Sequence, residues 1–310
     1  MLQWPGGTGV PRPIRQGGAP DRRGRTFAPV RQEIRMTTTG IKAKILTGVP
    51  PYNQDNVVKD NGKEVIAGCG PVAALMLLAY YDARFGYKRL VPSGAEKETG
   101  MPDDLIIELR RKMHTVNDLK NGEEWGMTLP PFFHSGLDAY VTDRYGKTVV
   151  KEFGSNIFGR GLDDVFDKSR ELIDDGKPHA FLFDWKGSAG VFPNHYVVIV
   201  GYRCDGGRKH LIANAGWGAG SQFLTIDMED KDVKPATLYY IESIGDKPDG
   251  TPDGHRIGPA PGYKWDTVDG ERKLVPTVRK HFSSSTETWE PCDTTRELFT
   301  GKEFAVCTWK

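Results

Sequence analysis

The hydrophobic pattern of the chain changes character near residue 179. Before it, four stretches read as helices. The first runs Pro-Val-Ala-Ala-Leu-Met-Leu-Leu-Ala-Tyr-Tyr from Pro71 and is expected to end near 84–86, at Arg-Phe-Gly. Its residues are good helix formers, and a proline in a first turn forfeits only an N–H that has no intrahelical acceptor. Residues 102–113 place Leu105, Ile106, Leu109 and Met113 at helical spacing, and 130–140 is a weaker candidate. Leu162, Val165, Phe166, Ser169, Leu172 and Ile173 define the fourth helix, which Gly176 and Pro178 stop.

After residue 178 the runs are short, β-rich and separated by turn residues: 179–185, 195–203, 209–215, 223–228 and 237–243. Asp205-Gly206-Gly207 is a hairpin signal between the second and third of them. A helical half followed by an antiparallel β half, with no internal repeat, predicts an α+β fold. Five glycines and four prolines between Gly245 and Gly262 mark a boundary or long loop. The expected organisation is a tail over 1–40, one domain over 41–245 and a loop-rich extension over 246–310 that contains Trp265, Trp289 and Trp309.

Charge alters this picture at one end only. The 310 residues carry 42 basic and 41 acidic side chains, so the net charge of +1 leaves no nucleic-acid footprint in the total. Residues 1–35, however, hold seven arginines against Asp21 and Glu33, with six glycines and five prolines. That composition predicts a disordered, dispensable tail; binding an acidic partner and targeting are the other readings, and Met36 begins a more ordinary sequence. No hydrophobic core of a signal peptide is visible there, so the expected location is cytoplasmic, or outside by a route without a Sec-type signal. The longest apolar run, 71–81, is too short to span a bilayer.

Four cysteines, at 69, 204, 292 and 307, do not make a disulfide scaffold, although Cys292 and Cys307 could pair in an oxidising compartment. No Cys-x-x-Cys or His-x-x-x-His spacing suggests a metal, and the acidic stretch at 246–254 lacks the EF-hand pattern. No cofactor or metal is expected.

Cys69 lies in "VIAGCGPVAA", between two glycines at the start of the first helix. A helix N-terminus offers unpaired backbone N–H groups and the positive end of the macrodipole, which favour thiolate. A buried, inert cysteine is the plain alternative, so a nucleophile needs a base elsewhere. Of seven histidines, His195 stands out: it heads the strand "HYVVIVGY" after the turn residues Pro193-Asn194. Nineteen positions on comes "NAGWG", which is expected to place Asn214 across the hairpin from His195. A cysteine nucleophile needs a general base in reach and a third group to orient the imidazole, and an Asn carbonyl serves for that.

"AGCGPVAALMLLAYYD" resembles the nucleophile helix of papain-like cysteine peptidases, "NHYVVIVGY" their His strand and "NAGWG" their Asn–Trp segment. Within that clan the texture is similar to streptopain-like and bacteriocin-processing peptidase-like domains, intermittently over 45–245. The resemblance implies Cys69 as nucleophile, His195 as base and acid, Asn214 as orienting residue and Trp217 as a shield over the Asn–His hydrogen bond. It also implies a glutamine upstream of the cysteine as oxyanion donor. Gln54 in "VPPYNQDN" fits, with Asn53 as its nearest competitor. The expected activity is hydrolysis of peptide bonds through a thioester, on a peptide or protein substrate. An acyltransferase or transglutaminase-like enzyme with the same triad, and a non-catalytic effector or interaction module, are the alternatives.

Overall fold

An apolar run without polar interruptions forms a strand only where both of its faces are covered, and residues 196–200 do so. The computed structural model describes residues 36–38, 41–46, 48–92, 101–120, 123–155, 160–183, 194–205, 207–218, 223–230, 233 and 236–250. It also describes the strand segments 263–268, 271–276, 280–283 and 288–291. The basic segment 1–35, Cys292, Cys307 and Trp309 lie outside the described residues.

The chain begins with strands β1 (Met36–Thr38) and β2 (Ile41–Ile45) and the hairpin β3 (Val57–Asp60) and β4 (Lys63–Ile66). Helices α1 (Cys69–Phe85) and α2 (Asp103–Lys112) follow, then the hairpin β5 (Val116–Lys120) and β6 (Glu123–Met127). Helix α3 (Pro130–Tyr145), strand β7 (Val149–Gly154) and helix α4 (Leu162–Asp174) complete the helical part. The β part comprises β8 (His179–Phe183), β9 (His195–Asp205), β10 (Arg208–Asn214), β11 (Phe223–Asp227) and β12 (Thr237–Ser243). Beyond it lie β13 (Tyr263–Val268), β14 (Glu271–Pro276), β15 (Lys280–Ser283) and β16 (Thr288–Pro291).

The main sheet runs β16-β15-β11-β10-β9-β8-β12-β7, antiparallel but for the parallel pair β11–β15. β9 is long enough to serve two neighbours on one edge. Residues 195–199 pair with β8, and residues 201–204 pair with β2. Its side chains alternate between two cores. Tyr196, Val198 and Val200 point to the core that holds α1, α2 and α3, whereas Val197 and Ile199 join the core under α4. β8 divides in the same way, with Ala180 and Leu182 against Phe181 and Phe183. The expected α+β fold is therefore the one observed, with α4 on the far face of the sheet from α1.

Helix α1 is buried on every side, from Gly70 to Ala83, and Gly86 ends it in the left-handed conformation at φ 81°. Removing a large side chain from it, as in Leu75→Ala, costs about 2–5 kcal/mol through lost burial and the cavity left behind. The two small hairpins, β1, β2, β7 and the strands β13 to β16 of the segment expected to be loop-rich did not figure among the expected strands. For β3–β4 the signal was there: Asn61-Gly62, at φ 51° and 80°, is a two-residue turn of the type that hairpins favour.

Candidate active site

Cys69 is the first residue of α1, and Gly68 before it occupies the N-cap at φ 86° without any capping side chain. The first N–H groups of the helix are thus left for something other than a cap. The backbone N–H groups of Tyr196, of Gly70 and of Cys69 itself lie near the sulfur and favour its thiolate. The Tyr196 contact brings the helix start and the start of β9 to one point. Half-buried Cys69 is crowded by apolar neighbours, and this desolvation pushes its thiol above the ordinary value, while the three N–H groups pull it down. Burial therefore outweighs the helix-terminus effect on which the expectation of a depressed thiol relied.

His195 opens β9 opposite Phe183 and is only 5% exposed. Its Nε2 lies 3.1 Å from the carbonyl oxygen of Ala215. A carbonyl can only accept, so Nε2 carries the hydrogen and the neutral ring keeps its lone pair on Nδ1. Trp217 stacks on the imidazole, with ring centroids 5.5 Å apart and planes 9° from parallel. Burial lowers the imidazole to about 4, and the Ala215 carbonyl acts in the opposite direction. Taken singly, both groups are pressed toward their neutral forms. Proton transfer from sulfur to ring would create a pair of opposite charges, each with a backbone dipole already facing it.

Asn214 differs from its expected place. It pairs with Val198 across the hairpin, three residues along β9 from His195, and the register shift between Ile212 and Ala213 changes that pairing by a single residue. The side chain is wholly buried; its Nδ2 donates to the Pro50 carbonyl at 3.2 Å and its Oδ1 accepts from the Gly216 N–H at 3.0 Å. The neighbouring residue's carbonyl is what the imidazole meets.

Gln54 is 5% exposed, and its Oε1 is buried with no hydrogen-bond partner. Its N–H donates to the Gly216 carbonyl at 2.7 Å, and its carbonyl accepts from the Gly68 N–H at 3.0 Å. This residue is thereby fixed between the turn after Asn214 and the residue before Cys69. Asn53 points elsewhere: its Oδ1 accepts from the Asp55 N–H at 3.0 Å, and its backbone bridges Trp217. Cys69, His195, Asn214, Gln54 and Trp217 are thus joined through four short backbone segments.

Reasoning from sequence passed over the Ala215 carbonyl, the Tyr196 N–H and Arg110. No side-chain code announces the first two. Arg110 was legible, since it follows Ile106 by four residues on the apolar face of α2, where a charge is out of place. His179 proves structural: wholly buried, it is held between Ser169 Oγ at 2.8 Å and the Lys177 carbonyl at 3.2 Å. Among the described residues no cluster of His, Cys, Asp and Glu could hold a metal ion. No helix among them is long and apolar enough to cross a membrane.

Cys69 at a helix start and His195 at a strand start, stacked on Trp217, stand in a chain that is a cysteine-type peptidase. Residues 46–229 match the model of the Peptidase_C39 like family, and the chain belongs to that family. No curated protein matches it. Among solved structures it is similar to a prointerpain A fragment from Prevotella intermedia, at 14% identity and a TM-score of 0.44 over 67% of this chain and 75% of that one. Active interpain A gives 14%, 0.41, 63% and 93% in the same order, and the Pseudomonas avirulence protein AvrPphB gives 12%, 0.26, 57% and 91%. None of these scores reaches 0.5, so the family match alone carries the assignment.

Proposed function

We propose that this peptidase cleaves peptide bonds with Cys69 as nucleophile, His195 as general base and acid, Gln54 as an oxyanion donor and Asn214 as the third residue of the triad. All four lie within 41–245, the segment proposed as the catalytic domain. The observation that carries the reading is the nearness of the Tyr196 N–H to the Cys69 sulfur, which puts the thiol beside the residue next to His195.

In the first half-reaction the thiol proton passes to Nδ1 of His195 as sulfur attacks the carbonyl carbon of the peptide. The negative charge that develops on the carbonyl oxygen falls to backbone N–H groups at the start of α1 and to the Gln54 carboxamide. The imidazolium then gives its proton to the departing amine, and Cys69 is left as a thioester. Water, deprotonated by the same imidazole, completes the cycle. Asn214 acts through its neighbour. By holding Pro50 and Gly216, it fixes the Ala215 carbonyl that orients the ring.

Incubation with a broad peptide library, with and without an amine acceptor, tests this reading. The expected result is cleaved products and a thioester on Cys69 trapped at short times. Transfer to the amine in place of hydrolysis would make the enzyme an acyltransferase, and no reaction with a folded protein would overturn the assignment.

A further inference from the structure

Arg110 belongs to none of the steps above, yet it sits under the nucleophile. Its side chain, in α2, is 4% exposed. Nη1 donates to the carbonyls of Ile66 and Ala67, the residues that lead into Gly68 and Cys69. Nη2 donates to the Thr115 carbonyl at 3.4 Å and to Asn117 Oδ1 at 2.9 Å, at the start of the β5–β6 hairpin. Taking a guanidinium out of water costs several kcal/mol, which the bonds it makes must offset. An arginine suits the task because its rigid fork reaches several acceptors at once, whereas a lysine presents a single point charge.

The packing shows what the tie holds. A Cβ added to Gly126 of β6 would lie 2.6 Å from Gly68 Cα and 3.1 Å from Arg110 Nη1. One added to Gly70 would lie 2.6 Å from Thr128 Oγ1, which itself is 2.7 Å from Thr115 Oγ1. Both glycines that flank Cys69 are therefore pressed against the segment to which Arg110 is bonded. The N–H groups of Cys69 and Gly70, which face the sulfur, belong to this same stretch of backbone.

We infer that Arg110 is a positioning residue for the nucleophile. By clamping 66–67 to the β5–β6 hairpin it sets where the Cys69 sulfur and the first N–H groups of α1 point. The inference rests on Cys69 being the nucleophile. It calls for a defect in turnover and not in substrate binding, since Arg110 itself is buried away from any substrate.

The test compares Arg110→Met, Arg110→Lys and Asn117→Ala with wild type, each assayed well below its own melting temperature. Misplacing a reacting group by about 1 Å costs about 10²-fold, so Arg110→Met should lose about that factor in kcat with KM nearly unchanged. Arg110→Lys should recover part of the loss. The second-order rate of Cys69 alkylation by iodoacetamide, read by mass spectrometry, should fall in the same order. Because alkylation needs no peptide substrate, it still reports on Arg110 if the library assay shows no hydrolysis. Folded Arg110→Lys and Asn117→Ala proteins with wild-type kcat and alkylation rates would overturn the inference, even if Arg110→Met failed to fold. So would a lowered melting temperature accompanied by unchanged rates.

Discussion

Nε2 of His195 donates to the carbonyl oxygen of Ala215 at 3.1 Å, one residue beyond Asn214. That bond fixes which ring nitrogen is basic and makes the backbone between Asn214 and Gly216 part of the site. Several consequences can be measured.

Asn214 should respond to substitution as a residue that holds backbone. In Asn214→Asp a carboxylate would face the Pro50 carbonyl, which needs a donor, so this variant should be at least as impaired as Asn214→Ala. Each should also lose about 1–3 kcal/mol of stability for every buried backbone group left unpaired, read by denaturant unfolding. Were the side chain itself the acceptor for Nε2–H, Asp would serve in its place. An Asn214→Asp enzyme close to wild type would thus favour the direct contact.

His195 and Cys69 should be inseparable in reactivity. Cys69→Ala is expected to abolish turnover without unfolding the protein, and His195→Ala to be nearly as severe. Wild-type Cys69 should be alkylated by iodoacetamide at mildly acidic pH, ahead of Cys204. His195→Ala leaves the thiol without its proton acceptor, and burial, which raises it, outweighs the nearby N–H groups, so labelling should require alkaline conditions. Equal labelling of the two proteins at pH 6 would separate the histidine from the nucleophile.

Gln54→Ala should lower kcat by about 10²–10³, the effect typical of losing one oxyanion donor. Gln54→Glu should do no better, because a carboxylate offers an oxygen where an N–H is wanted. Asn53→Ala should cost far less, since Asn53 caps the Asp55 N–H. A reversal of that order would transfer the oxyanion role to Asn53.

Acid should destabilise the fold through its buried imidazoles. His179 is held near 4 by burial, against an ordinary value of 6.5. As pH falls from 6.5, the unfolded chain takes up its proton first, so stability is complete above about 6.5 and is lost toward 4. A shift of that size corresponds to about 3 kcal/mol. His195 shifts in the same direction. His179→Gln should be less stable at pH 7 but reduce the slope of stability against pH in this window by about one proton. An unchanged slope, measured by urea unfolding from pH 4 to 7, would mean that His179 does not titrate there.

Sequence by itself determined the α+β class, the four helices and the strands β8 to β12. Burial leaves a one-dimensional trace, and residues 71–81 and 196–200 are apolar because the elements they form are covered on all sides or both faces. The proposed site residues Cys69, His195, Asn214 and Gln54 were named from motifs, which single out side chains at a helix start, a strand start and a turn. The register of that turn was not legible. Asn214 lies opposite Val198, the imidazole meets the main-chain oxygen of Ala215, and backbone acceptors have no sequence signature. The state of the thiol was also decided by tertiary structure. A helix terminus favours thiolate locally, but the neighbours that desolvate Cys69, and the Tyr196 N–H that opposes them, come together only when α1 packs on β9.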